Sequence, residues 1–566
     1  MQTFKEYRYE RPNKEEVQSE IARLVDAFER AGSAEEQAEL IQAYNKVIDR
    51  VTFLSALAEI RHDCNTLDPF YEEEKRFWDT IHPELSVSYN KYADALLSSP
   101  YKKELTERFG AALFTKYELQ KKCFDETIAE DMVTENKLVS EYHKLVAVGK
   151  VEFRGESLTL NDLTPFRESV DRELRREANE AYFGYFASKA EDFDRIYDQL
   201  VAIRHKMAKK LGYENFVQMA YDRMGRSDYG PAEVAAFRDQ IHRFAVPLAT
   251  ALREKQRARL GIDKMHYYDY ALHFATGNAS PKGDPDWIMA RGKEMYEALG
   301  GELKDFFAFM QGSELFDVLS REGKKAGGYC SYLPTHKAPF IFANFNGTAG
   351  DVDVLTHEAG HAFQVYKTAR TQVLSEYLWP TMDAAEIHSM SMEFLCWPWM
   401  ELFFREDAEK YRYGHLSSAV EFLPYSALID EFQHEVYANP ELSPEERRQC
   451  FRSIEKKYLP HNDYGENSFL ESGGFFFKQL HIFSVPFYYI DYSLAQLCAL
   501  QFWKKSREDR ERTMQVYSRL CEAGGSKTFL ELLSLGELQN SFSDSVMEAT
   551  LKPVADYLNS ADESRF

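Results

Sequence analysis

A chain of 566 residues with 69 Lys and Arg against 92 Asp and Glu carries a formal charge of −23, a field that repels phosphate backbones and argues against nucleic-acid binding. Hydrophobic residues at 44% and aromatic residues at 14%, with 28 Gly and 19 Pro, form a folding composition that excludes disordered and fibrous classes. No stretch approaches the roughly 18 uninterrupted apolar residues that span a bilayer, and the charge-dense start, Met1 to Glu20, lacks the apolar run of a signal peptide.

Helical periodicity dominates from the start. Val17, Ile21, Leu24, Val25 and Phe28 recur at three- and four-residue spacing among charged residues, which places them on one face of an amphipathic helix. Similar patterns predict helical hairpins over most of residues 1–150. Val151 to Leu160 then alternates with a period of two around Gly155, predicting a short β-hairpin and a boundary between an N-terminal lobe, 1–150, and a catalytic region, 151–566. From about Glu168 a long charged helix is expected to run towards Leu211, with Gly212 as its stop. Thr276 to Pro285 is the densest cluster of turn residues and reads as a surface loop. After Gly323 to Gly328, Tyr329 to Leu333 and Pro339 to Phe345 are rich in aromatic and β-branched residues and predict a small sheet. Cysteines at 64, 123, 330, 396, 450, 498 and 521 form no C-x-x-C pair, so neither a disulfide framework nor a cysteine zinc site is expected, and a cytoplasmic, reducing compartment is.

The segment after the predicted sheet carries the chemistry. In Asp351 to Phe363 the motif His357-Glu358-Ala-Gly-His361 puts two histidines four apart on one helix face, where they can share a zinc ion, and Glu358 between them can reach a metal-bound water. Neutral imidazoles leave the ion Lewis-acidic, and Glu358 can take the water's proton and later pass it to the leaving amine. The alternative is a surface helix with two exposed histidines. Val352, Val354, Leu355, Ala359, Ala362 and Phe363 argue against it, because so apolar a helix belongs inside the protein, where polar groups need partners.

Catalytic zinc normally has three protein ligands. The pattern with a third histidine six residues on is excluded, because its glycine and histidine positions hold Gln364 and Lys367. A second apolar helix after Trp379-Pro380 contains Asp383, Glu386, His388 and Glu393. Glu386 and Glu393 share a face and His388 points away. An antiparallel arrangement could bring Glu386 to the metal, with Glu393 or Asp383 orienting a histidine.

His357-Glu358-Ala-Gly360-His361 followed by Glu386-Ile-His-Ser-Met-Ser-Met-Glu393 resembles the thimet oligopeptidase and oligoendopeptidase F family of zinc peptidases, and Gly327-Gly-Tyr-Cys330, Pro339 to Phe345 and Leu211 to Phe216 extend the resemblance towards its bacterial oligoendopeptidase branch. It covers about residues 150 to 560. The resemblance implies a mainly α, two-lobed helical zincin-type metallopeptidase, with a small β-sheet beside the active-site helix and a deep central channel. It implies one zinc ion held by His357, His361 and Glu386, and hydrolysis of internal bonds in short unfolded peptides. It also implies that a histidine followed by spaced tyrosines donates hydrogen bonds to substrate and oxyanion. The matching stretch is His481 to Tyr492, with His481, Tyr489 and Tyr492 as the expected group and the oxyanion donor open among Tyr488, Tyr489 and Tyr492. A glycine pair usual in that stretch is absent, and Gly473-Gly474 precedes His481 instead.

Under that reading Phe340 to Phe345 is expected as an exposed edge strand that holds a peptide through main-chain bonds. Cys330 is expected to be a buried structural thiol and His266 a loop or packing residue, and His434-Glu435 is not followed by a histidine at the right spacing for a metal site. A carboxypeptidase or dipeptidase on a related scaffold is the second enzymatic reading, distinguished by where it cuts. A non-catalytic peptide-binding relic would be expected to lack Glu358 or a ligand position, and all four are intact. The expected partners are short peptides, with neither nucleic acid nor membrane.

Overall fold

Asn13 shows how local chemistry starts this fold: its side chain accepts from the Glu16 amide at 3.1 Å and opens a helix, Lys14–Arg30, that buries Val17, Ile21, Val25 and Phe28 on one face. The computed structural model describes residues 2–566, apart from the side chain of Ser564. Helix accounts for 71% of the chain, as the periodicity predicts. Among the described residues five short strands interrupt the helices: β1 (Lys150–Phe153), β2 (Glu156–Thr159), β3 (Phe316–Leu319), β4 (Tyr329–Leu333) and β5 (Ala338–Phe345). Among the described residues no helix is long and apolar enough to cross a membrane. All seven cysteines carry free thiols.

The chain forms two units, neither of them a continuous stretch. The first comprises 1–121, 280–406 and 501–538. Its N-terminal helices enclose one apolar core that includes Ile21, Ile41, Val51, Leu85, Leu96 and Leu113. Its sheet has the order β3-β5-β4, with β3 parallel and β4 antiparallel to β5. The edge role expected for Phe340 to Phe345 is therefore wrong: β5 is the central strand, buried along nearly its whole length, and β4 is an edge. Pro339-Phe-Ile-Phe-Ala is apolar at consecutive positions, as a strand buried on both faces must be. β3 was not anticipated.

The second unit comprises 122–279, 407–500 and 539–566. It contains the β1-β2 hairpin, whose turn residues Arg154 (φ 51°) and Gly155 (φ 87°) both lie in the left-handed region that a two-residue hairpin turn requires. The helix expected from Glu168 is two pieces, Arg172–Ser188 and Ala190–Lys210, preceded by the short helix Thr164–Arg167, and Gly212 (φ 83°) follows the last. Lys189, with φ −115° and ψ 15°, breaks the longer pieces apart. Seven residues of straight helix would separate Phe186 and Phe193 by about 10.5 Å, and the break brings their rings to 5.3 Å in the core.

Candidate active site

The first unit holds the histidine-glutamate group. After β5 the chain turns at Asn346 and Gly347, whose amides both donate to the buried Asp351 carboxylate at 2.8 Å. This fixes the start of the His357 helix, Gly350–Thr371. The Glu386 helix, Met382–Leu395, crosses it at very short range. A Cβ at Gly360 would lie 2.6 Å from the His388 carbonyl oxygen and from the Ser389 Cα, so only glycine permits this crossing.

The crossing brings three of the predicted residues together. Glu386 Oε2 lies 3.3 Å from His357 Nε2 and 3.4 Å from His361 Nε2, and one donor atom from each of the three fits within 4.8 Å. Tetrahedral zinc with bonds of 2.0–2.1 Å separates its ligands by about 3.3 Å, so two nitrogens and a carboxylate oxygen at these separations fit the ion. His357 Nδ1 faces Glu393 Oε1 at 2.7 Å, which makes Glu393, not Asp383, the carboxylate that orients a histidine. Asp383 instead accepts from the Ala384 amide at 2.7 Å. His388 points away, with Nδ1 3.4 Å from the Cys521 sulfur, and burial holds it down at about 3.

Electrostatics at this group are unbalanced without a cation. Burial opposes charge on Glu386, yet the two imidazoles hold its carboxylate well below the usual range. Burial likewise opposes charge on His357, but Glu386 and Glu393 raise it well above the ordinary histidine value. Burial raises Glu358, only partly offset by the histidines. Glu358 is 7% exposed, and its Oε2 and His361 Nδ1 are buried without a protein partner. A buried carboxylate oxygen without a donor costs stability, and such costs concentrate where function requires them. Cys330 is half-buried, and burial together with the Glu358 charge pushes its thiol well up, away from a reactive thiolate.

The second unit holds the histidine-tyrosine group. His481 sits on a short helix, Leu480–Ser484. Its ring lies 4.8 Å from Tyr489, 5.6 Å from Tyr488 and 5.7 Å from Tyr492. Tyr489 and Tyr492 are half-buried at the start of the helix Tyr489–Glu508, and Tyr488 is buried. Burial pushes the Tyr489 phenol up, so it stays a neutral donor. Between His481 and the tyrosines, Phe487 adopts φ 67°, a strained value for a bulky residue. Arg226 donates to its carbonyl at 2.6 Å, and its amide donates to Gln433 at 2.9 Å.

Sequence reasoning missed Gln479. The Tyr425 hydroxyl donates to its Oε1 at 2.6 Å, and its Nε2 donates to His481 Nδ1 at 2.8 Å. An amide nitrogen cannot accept, so His481 Nδ1 accepts and Nε2 carries the proton. The only signal in the sequence was an amide two residues before the histidine. His266 and His434 are engaged elsewhere, with Asp463 at 2.9 Å and the Tyr221 hydroxyl at 3.1 Å.

The chain is also similar to known proteins. The profile of peptidase family M3 matches residues 166–280 and 302–550, and that of the peptidase M3 N-terminal domain matches residues 4–124. An oligoendopeptidase F homolog of Borreliella burgdorferi is 22% identical over 68% of this chain and 65% of its own length. The chromosomal oligoendopeptidase F of Lactococcus lactis is 24% identical over 38% of this chain and 35% of its own length. The chain thus aligns with less than two thirds of these curated relatives. Solved structures align throughout: PZ peptidase A with an inhibitor at 49% identity and TM-score 0.95, covering 99% of this chain and 100% of that one, and an oligoendopeptidase F at 48% and 0.96, covering 100% of both. With close to two thirds of its residues inside one family profile and the His-His-Glu group intact, the chain belongs to peptidase family M3, a family of metallopeptidases.

Proposed function

We propose that the protein is a zinc-dependent endopeptidase that hydrolyses internal bonds of short, unfolded peptides. One observation carries the reading: Glu386 stands at tetrahedral-edge distance from both His357 and His361, beside a Glu358 carboxylate with an unpartnered oxygen. His357, His361 and Glu386 would hold one zinc ion, and Glu393 fixes the His357 ring by accepting from Nδ1. When bound, zinc supplies Lewis acidity to the scissile carbonyl and acidifies a water.

Glu358 accepts the proton of the attacking water. Its raised pKa suits it to hold that proton and then deliver it to the leaving amine. His481 donates from Nε2, the nitrogen that Gln479 leaves protonated, and Tyr489 and Tyr492 add neutral donors for charge that develops on the carbonyl oxygen. Family membership and the relatives named oligoendopeptidase support peptide substrates and internal cleavage. Seven free thiols suit a cytoplasmic setting. With β5 central, main-chain pairing to a peptide falls to the edge strand β4.

A quenched peptide of about ten residues, incubated with the zinc-loaded protein and mapped by mass, tests the assignment. Internal fragments are expected, and release of single terminal residues alone would overturn it.

A further inference from the structure

In a chain with an excess of acidic groups, two half-buried cations of the second unit lack an acidic partner. Lys478 ends a short 3-10 helix, Gly474–Lys478, and Arg167 ends the helix Thr164–Arg167. Neither makes an ion pair with any described residue. Arg167 donates from Nε to the Asn179 amide oxygen at 3.0 Å, and Lys478 Nζ lies against aromatic faces.

Those faces form a built surface. Lys478 Nζ stands 4.1 Å from the centre of the Phe475 ring and 6.0 Å from those of Phe183 and Tyr425. The Arg167 guanidinium stands 4.0 Å over Tyr182 and 6.0 Å from the same Phe183, so one ring is flanked by both cations. Tyr182 and Phe475 are only partly buried. The acidic groups that bear on the pair are committed elsewhere: Glu168 to Asn278, and Glu455 to Arg452, Asn462 and Tyr464. Desolvation and the Arg167 charge lower the Lys478 ammonium to about 7, and desolvation also lowers Arg167. Two cations that weaken each other's charge across an aromatic wall cost stability, and a bound anion would remove that cost.

We propose that Arg167 and Lys478 form a subsite for a carboxylate of the bound peptide. Position argues for a peptide over a free small anion. Tyr425, whose ring Lys478 faces, packs 5.7 Å from the Tyr489 ring and donates to the Gln479 amide that holds His481. These ring separations limit the distance from Nζ to Tyr489 to about 12 Å, three to four residues of extended chain at about 3.3 Å each. A carboxylate there would be carried by the substrate whose bond lies beside His481, either as its C-terminus or as an Asp or Glu side chain. The inference rests on the proposed peptidase reading for which peptide is bound, but its test does not require turnover.

Three peptides of one sequence distinguish the sources: a C-terminal acid, the C-terminal amide, and the amide with Glu in place of the last residue. The expected result is that the acid or the Glu peptide exceeds the plain amide about tenfold in kcat/KM at low salt. This ratio should collapse towards one in Lys478→Met and Arg167→Met, and fall below one in Lys478→Glu. Circular dichroism checks the fold of each variant, and Lys478→Arg should restore most of the ratio. If no peptide is cut, the peptidase reading fails, and titration calorimetry with the same three peptides decides the subsite by the same ratio in Kd. Equal values for all three peptides, or a ratio untouched by the Lys478 and Arg167 variants, would overturn the proposal.

Discussion

Glu393 Oε1 accepts from His357 Nδ1 at 2.7 Å, leaving the Nε2 of that ring aimed at Glu386. This relationship adds a second polar tie between the two helices, and it fixes which nitrogen faces the metal position. Glu393→Ala is expected to lower zinc affinity about 10–100-fold, measured by competition with a chromophoric chelator. Without a cation, Glu386 and Glu393 keep His357 protonated well above the usual range, so zinc must displace that proton. Affinity should therefore rise with pH, with proton release visible as a buffer-dependent heat. Wild-type affinity in Glu393→Ala would contradict the orienting role.

Gly360 lets the two helices touch. A methyl group there meets the His388 carbonyl and the Ser389 backbone at 2.6 Å, atoms that cannot rotate away. Gly360→Ala should cost about 1–3 kcal/mol, read as a lower denaturant midpoint of the chelator-treated protein. An unchanged midpoint would show that the helices separate freely.

Gln479 sets the protonation of His481. Gln479→Leu removes the donor to Nδ1 and should reduce kcat about tenfold or more, with a smaller change in KM. Gln479→Glu puts a carboxylate beside the ring, which favours the imidazolium and should move the associated limb of the pH–rate profile upwards. Identical profiles in both variants would remove Gln479 from the positioning of His481.

Arg204 anchors the segment that carries His481. It is fully buried, donates to Glu135 at 2.6 Å and to the Phe483 carbonyl at 2.6 Å, and meets the Tyr437 hydroxyl at 2.8 Å. Burial disfavours charge on Glu135, but Arg204 and Arg223 hold its pKa below the usual value. A depressed carboxylate contributes stability above its unfolded pKa, near 4.3, that is lost as pH falls through the folded value. Glu135→Ala should cost about 3–5 kcal/mol at neutral pH. It should also flatten the acid limb of a denaturation series between pH 5 and 3, and a parallel limb would contradict the pairing.

Much of this protein was legible in its residues, for physical reasons that also mark the limits. Val17 to Phe28 announced a buried helix face because side-chain period maps directly onto burial, and Gly155 announced a turn because few residues tolerate its φ. The same logic could not order the sheet. Phe340 to Phe345 reports burial on two faces but not which strands flank it, so an edge was expected where a central strand lies. The break at Lys189 carries no glycine or proline, and core packing of Phe186 and Phe193 decides it. Spacing within one helix pairs His357 with His361, whereas choosing Glu393 over Asp383 as the orienting carboxylate needed the crossing at Gly360. Gln479 and Lys478 were invisible because their meaning lies in Tyr425 and Phe183, remote in sequence.

The central claim is that Glu358 carries the proton in a zinc-dependent peptide hydrolysis. Zinc content and single-turnover cleavage of a quenched peptide, measured together on wild type and Glu358→Gln, test it most directly. The account predicts equal zinc content in both proteins, with cleavage reduced at least about 10³-fold in the variant and abolished by chelator in the wild type. Full cleavage by zinc-loaded Glu358→Gln would contradict it.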